Sequence, residues 1–193
     1  MRLFIAINLL EAERRSITAA TTPLREAAPL AGWVDESRLH LTLKFIGEEP
    51  AEAVPPLAES LRRVAAAHGP VTLELGGLGA FPSKRRPRVI WLGVAPDPKL
   101  ELLHHGVEEA CAALGYEVEG RAFRPHLTIG RVRERARGRE AVDAAAAAAL
   151  ARAAREVHDR WNADVRSVDL MESVLGRDGP RYSLLDAAPL GGT

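Results

Sequence analysis

The chain has 193 residues, 47% of them hydrophobic and 27% charged, with 26 basic residues balanced by 26 acidic ones. This is ordinary globular usage at the size of one domain, which excludes wholesale disorder and predicts a single domain over residues 1–193. A zero net charge excludes gripping nucleic acid by bulk charge, though not through a local basic groove. The single cysteine, Cys111, excludes an internal disulfide and a thiolate-rich zinc site. No apolar run approaches the ~18–20 residues of a membrane span. The opening M-R-L-F-I-A-I-N-L-L has one basic residue ahead of its apolar stretch, and E-A-E-R-R follows at once, so it reads as a strand rather than a leader. The expectation is a soluble cytoplasmic protein without a membrane partner.

Residues 2–8 are rich in large apolar and β-branched types and predict a buried strand. Residues 11–27 carry apolar positions at helical spacing and predict a helix disturbed by Pro23. The stretch from Trp33 to Gly47 contains H-L-T-L-K-F-I, a strand by alternation. Residues 51–68 predict a helix stopped by Gly69 and Pro70. V-T-L-E-L and V-I-W-L-G-V predict two strands. The segment between them, with Gly76, Gly77, Gly79, Pro82 and a basic run, predicts a loop. A third helix is expected over 98–114, ended by Gly115, then a strand within 121–132 and an alanine-rich helix over 139–161. The closing V-R-S-V-D-L-M-E-S-V-L and R-Y-S-L-L predict a hairpin around Gly176 to Pro180. Mixed elements with hairpin-joined strands favour an α+β fold with a largely antiparallel or mixed sheet.

One short pattern occurs twice: R-L-H-L-T-L at 38–43 and R-P-H-L-T-I at 124–129. Side chains two apart on a strand share a face, so His40 and Thr42 point one way while Leu41 and Leu43 point the other. His126 and Thr128 stand likewise opposite Leu127 and Ile129. The aliphatic residues belong in a core. The polar pairs must then face water or a cleft, because burying them without partners costs roughly 1–3 kcal/mol each. If two related lobes set these strands side by side, both His–Thr pairs line one cleft. Two imidazoles there supply a base and an acid near neutral pH. Two threonine hydroxyls are short, stiff donors suited to the non-bridging oxygens of a phosphate. In-line displacement at phosphorus needs proton carriers on opposite sides, and a ribose 2′,3′-cyclic phosphate suits such a pair with no metal or other cofactor.

The duplicated H-L-T-[LI], the opening R-L-F-I-A-I, W-V-x-x-x-x-L-H-L-T-L-K-F-I-G, V-I-W-L-G-V at 89–94, F-R-P-H-L-T-I-G-R at 123–131 and R-Y at 181–182 resemble the two-histidine phosphoesterase superfamily. Within it they resemble the bacterial and archaeal RNA 2′,3′-cyclic phosphodiesterases, the 2′-5′ RNA ligase-like proteins. The resemblance implies a bilobal, pseudo-symmetric α+β fold with a central cleft and hydrolysis of a terminal 2′,3′-cyclic phosphate to a 2′-phosphate. It implies His40 as proton donor, His126 as proton acceptor, and Thr42 and Thr128 as phosphate-holding groups. It also implies a phosphate-binding arginine near Arg131, whose parity is wrong for the His126 face unless the strand turns at Gly130. The substrates would be RNA ends or cyclic nucleotides, handled by a monomer. The rival readings are a 2′-5′ RNA ligase running the reverse reaction, a non-catalytic RNA-end or nucleotide-binding module, and a metal-dependent phosphodiesterase.

Arg38 and Arg124 fall on the histidine faces by parity, as cleft-flanking groups or as surface ion-pair partners, and Lys44 falls on the His40 face as a candidate for a phosphate-proximal role. The run Lys84, Arg85, Arg86 and Arg88 reads either as a solvated face or as an RNA backbone track, and the same holds for Arg133, Arg135, Arg137 and Arg139. Phe4, Trp33 and Tyr182 are candidates for stacking on a terminal base or for packing, and Trp91 reads as packing. His68, His104, His105 and His158 form no metal-ligand spacing. His40→Ala and His126→Ala are each expected to lose at least ~10²-fold in turnover of a 2′,3′-cyclic mononucleotide while the circular dichroism of the folded protein is kept.

Overall fold

The computed structural model describes residues 1–29, 31–132, 139–156, 160–176 and 179–191. Nine strands form one sheet: β1 (Arg2–Asn8), β2 (Gly32–Trp33), β3 (His40–Glu48), β4 (Val71–Ser83), β5 (Arg86–Val94), β6 (His126–Arg131), β7 (Trp161–Val165), β8 (Ser167–Gly176) and β9 (Gly179–Pro189). Among the described residues the α-helices are α1 (Glu11–Ala20), α2 (Thr22–Ala27), α3 (Val54–Ala66), α4 (Pro98–Ala113) and α5 (Arg139–Glu156). The sheet runs β7-β4-β5-β6-β3-β1-β8-β9, with β2 added on β6. Every pairing is antiparallel. Read inward from its two edges, the order is four strands and their mates: β7-β4-β5-β6 against β9-β8-β1-β3. The expected lobes are thus the two halves of one sheet, meeting at β3 and β6, the two strands that carry the repeat.

The helices lie on one face. Leu3, Ile5 and Ile7 of β1, Leu41 and Leu43 of β3, Ile90 and Leu92 of β5, and Leu127 and Ile129 of β6 share one core. The same core holds Ile17, Leu24, Leu57, Leu61, Leu100, Leu103, Val107 and Leu150 from the helices. In α4 the buried positions Leu100, Leu103, Val107 and Cys111 recur at three and four residues, as a one-sided helix requires. The Asp97 carboxylate caps its first turn, accepting from the Leu100 amide at 2.9 Å. Phe4, Ala6 and Met171, with Tyr182 against them, form a small second cluster on the opposite face. Among the described residues no helix is long and apolar enough to cross a membrane.

Several expected boundaries move. The helix over 11–27 is two helices, because Pro23 occupies the first turn of α2 and cannot continue α1. The alanine-rich helix is described over Arg139–Glu156 and does not reach 161: Arg160 is outside it, and Trp161 opens a strand, β7, on the outer edge of β4. The strand within 121–132 begins only at His126. The glycine-bearing segment expected as a loop is the second half of β4, and the hairpin turn is confined to Lys84 and Arg85. Two glycines account for the last difference. Gly77, at φ +70°, sits in a bulge between Gly76 and Leu78, which L side chains rarely permit. Gly79 has no side chain because Trp91 of β5 lies across it: a Cβ there would stand 2.1 Å from the indole. Gly79→Ala should therefore cost about 1–3 kcal/mol, read as a lower urea midpoint, with a change in tryptophan fluorescence as the ring is pushed away.

Candidate active site

The two repeats meet at one backbone pair, Leu41 with Leu127. Antiparallel register about that pair sets His40 opposite Thr128 and Thr42 opposite His126, all four on the face away from the helices. The two histidines are then diagonal neighbours, about 7–8 Å apart across the strands. The leucines between them are fully buried, so the register that fills the core also fixes the direction of the polar quartet.

Each imidazole is oriented in the same way. His40 Nδ1 donates to the Arg38 carbonyl at 2.8 Å, and His126 Nδ1 donates to the Arg124 carbonyl at 2.7 Å. A carbonyl only accepts, so the ring proton stays on Nδ1 and Nε2 is left as the nitrogen that gains or gives a proton. His40 Nε2 lies 3.1 Å from Thr42 Oγ1. Burial lowers the His40 pKa below the ordinary histidine value. The Arg38 carbonyl opposes that shift, and the positive charge of Arg131 adds to it.

Bulges decide which further side chains join this face. In β6 the register with β5 skips Ile129: Trp91 pairs with Thr128, whereas Ile90 pairs with Gly130 and Val89 with Arg131. Arg131 is thereby returned to the histidine side, where it is exposed. A bulge at Leu43 does the same in β3. Ala6 pairs with Thr42 and Ile5 with Lys44, so Lys44 turns to the helix side and Phe45, opposite Phe4, takes the site face. Straight-strand parity had put Lys44 beside His40. It is instead buried at 6% exposure and bonded to Glu108 at 2.7 Å.

Aromatic rings flank each histidine. Phe4 and Tyr182 lie 5.2 Å from the His40 ring, Tyr182 edge-on. Phe81 lies 5.1 Å and Trp91 6.2 Å from the His126 ring. Phe4 is only 3% exposed, so it packs beneath His40 and offers no open face to a base. Tyr182 is half-buried, and Phe45 is 70% exposed. Trp33 lies away from this surface: its ring covers Gly130, its Nε1 donates to the Ala28 carbonyl at 3.0 Å, and Arg25 sits over it. Phe81 was missed because its segment read as a loop, and the Gly77 bulge in β4 turns it to this face; Trp91, expected to pack, does so against Gly79 and Phe81 while also bordering His126. Asn8, paired with His40, was also missed. Its side-chain amide donates to the buried Asp169 carboxylate at 2.6 Å, which also accepts from Ser167 Oγ at 2.5 Å.

Arg38 does not reach into the site, since it donates to the Pro180 carbonyl at 2.9 Å and holds the β8–β9 hairpin against the start of β3. Arg124 is exposed beside His126. Arg85 and Arg86 are exposed at the β4–β5 turn. Arg133, Arg135, Arg137 and His158 lie outside the described residues, and the Arg139 side chain is not described. Burial pushes the Cys111 thiol up to about 11, which removes it as a nucleophile near neutral pH. Among the described residues no group of three or more His, Cys, Asp or Glu is placed to hold a metal ion.

The sequence model of the 2′-5′ RNA ligase superfamily matches residues 11–177. A Geobacillus stearothermophilus protein named RNA 2′,3′-cyclic phosphodiesterase is 38% identical over 128 residues, which is 66% of this chain and 41% of that protein's length. An Aeropyrum pernix protein of the same name is 33% identical over 155 residues, covering 79% of this chain and 82% of that one. The crystal structure of E. coli LigT complexed with 3′-AMP superposes with a TM-score of 0.71 at 26% identity, over 98% of this chain and 97% of LigT. The family motif, the fold and the doubled His–Thr face agree, and the chain belongs to the 2′-5′ RNA ligase superfamily of two-histidine phosphoesterases.

Proposed function

We propose that this chain hydrolyses the 2′,3′-cyclic phosphate at RNA ends, or of cyclic nucleotides, to a 2′-phosphomonoester, with His40 and His126 as the proton carriers. The observation that carries this reading is the pairing of Leu41 with Leu127, which sets two imidazoles diagonally on one face with Nδ1 of each spent on a carbonyl. The names of the relatives support the substrate class, and the 3′-AMP complex of LigT supports a nucleotide-sized ligand.

The cyclic phosphate carries one negative charge on its non-bridging oxygens. Thr42 and Thr128 donate to those oxygens, and the Arg131 guanidinium neutralises them. His126 Nε2 takes a proton from water as its oxygen attacks phosphorus. His40 Nε2–H gives a proton to the departing O3′, and the P–O3′ bond breaks. The product is a 2′-phosphate with a free 3′-hydroxyl, and the two imidazoles have exchanged protonation states. Each proton transfer contributes about 10²–10⁴-fold. The assignment of donor and acceptor follows the family resemblance, and no metal enters any step. On this reading residues 1–193 act as one unit, a monomer supplies both histidines, and the enzyme works on RNA in the cytoplasm. Tyr182 and the exposed Arg85 and Arg86 extend the surface toward the base and backbone of the RNA end.

An oligonucleotide ending in a 2′,3′-cyclic phosphate, incubated with the protein in excess chelator, should yield a 2′-phosphate end by mass spectrometry and phosphatase mapping. A 3′-phosphate product, or activity abolished by chelator, would refute the mechanism. The pH profile carries a second prediction. The donor works only when protonated, so kcat/KM declines as pH rises through the His40 pKa, which lies below the ordinary ~6.5. Arg131→Met removes a positive charge that lowers that pKa, so the alkaline limb should move to higher pH. KM should rise about tenfold or more with the loss of a charged phosphate contact.

A further inference from the structure

On the two-histidine reading above, we propose that the buried Lys44–Glu108 pair is the positioning device for His126, tying the segment before β6 to the strand that carries His40. The case starts from the near-symmetry of the sheet. In one half, the chain approaching His40 is held by a backbone ladder: Gly32 and Trp33 of β2 pair with Arg131 and Gly130 of β6, and the Val34 amide donates to the Ile129 carbonyl at 3.0 Å. In the other half, the chain approaching His126 belongs to no strand from Tyr116 to Pro125. Its anchor is made of side chains. Lys44, turned to the helix side by the bulge at Leu43, sends its ammonium to the Glu108 carboxylate at 2.7 Å and to the Glu117 carbonyl at 2.8 Å. The same carboxylate oxygen accepts from the Glu119 amide at 3.2 Å.

One carboxylate of α4 therefore joins β3 to the residues that lead into His126. Both side chains of the pair are almost fully enclosed, at 5% and 7% exposure. A second contact comes from the same helix: the His104 ring lies flat on Phe123, three residues before His126, with centroids 3.8 Å apart and planes 8° apart. His104 Nε2 is also 3.8 Å from the second Glu108 oxygen. None of these groups lies on the face of the two histidines. What they can fix is where the His126 strand begins, and hence the distance from its Nε2 to that of His40.

Replacing a buried ion pair by apolar residues of similar volume often leaves stability unchanged, so Lys44→Met with Glu108→Met is the test in the full chain. The double variant should keep its thermal midpoint and its KM for a 2′,3′-cyclic mononucleotide, because phosphate-holding residues are untouched. Its kcat should fall roughly 10–100-fold, the cost of a proton carrier displaced by about an ångström. A folded double variant with wild-type kcat would overturn the proposal. If the variant does not fold, amide exchange in the unaltered protein decides. A Glu119 amide protected far beyond its exposed neighbours supports the tie, and one exchanging with them overturns it. Unaltered protein that fails to turn over the cyclic mononucleotide would refute the functional reading instead, and amide exchange would still judge the tie.

Discussion

The whole arrangement depends on two leucines, Leu41 and Leu127, facing each other across the seam between β3 and β6. Each sits between a histidine and a threonine, and each is fully buried. Hydrophobic burial cannot tell one chemistry from another, yet here it fixes one. A register slip of one residue in either strand would turn its polar pair into the core and its leucine into water. The core under α4 and α5 thus enforces the spacing of the imidazoles without any of its atoms touching them.

The two imidazoles share a tautomer and an orienting bond but not a setting. His40 lies over a buried phenylalanine and against the edge of Tyr182, while Arg131 adds positive potential from the far strand. His126 stands beside Phe81 and Trp91, at the end of a segment held by α4 rather than by a neighbouring strand. A duplicated motif has in this way acquired two unlike sites.

Much of this was legible in the sequence because the repeat is a period-two pattern and period two is what a strand reads out. Parity put His40 with Thr42, and His126 with Thr128, on one face of each strand. The common cleft followed only if two lobes set those strands side by side, and the hairpin signals favoured an α+β class with a largely antiparallel or mixed sheet. What parity could not see were the bulges. An extra residue at Leu43 sends Lys44 to the rear and brings Phe45 forward. One at Ile129 restores Arg131 to the site, and one at Gly77 puts Phe81 there. Gly130 and Gly77 hinted at two of the three. The third, at Leu43, has no glycine to mark it, and the cost of that silence was the misplacement of Lys44. The strand β7 was hidden for a different reason: the alanine run before it gave helix propensity that spilled past the true end.

The chain order of the sheet has a bearing on how the protein is made. The half that bears His126 is drawn from one uninterrupted stretch, β4 through β7, between Val71 and Val165. The half that bears His40 is split, with β1 and β3 emitted first and their partners β8 and β9 last. During synthesis β1 must wait, one edge unpaired, until Glu172 and its neighbours leave the ribosome, and such long-range pairing is slow to form. The later-numbered histidine is therefore housed before the earlier one, and Tyr182, which closes over His40, belongs to the last strand to arrive.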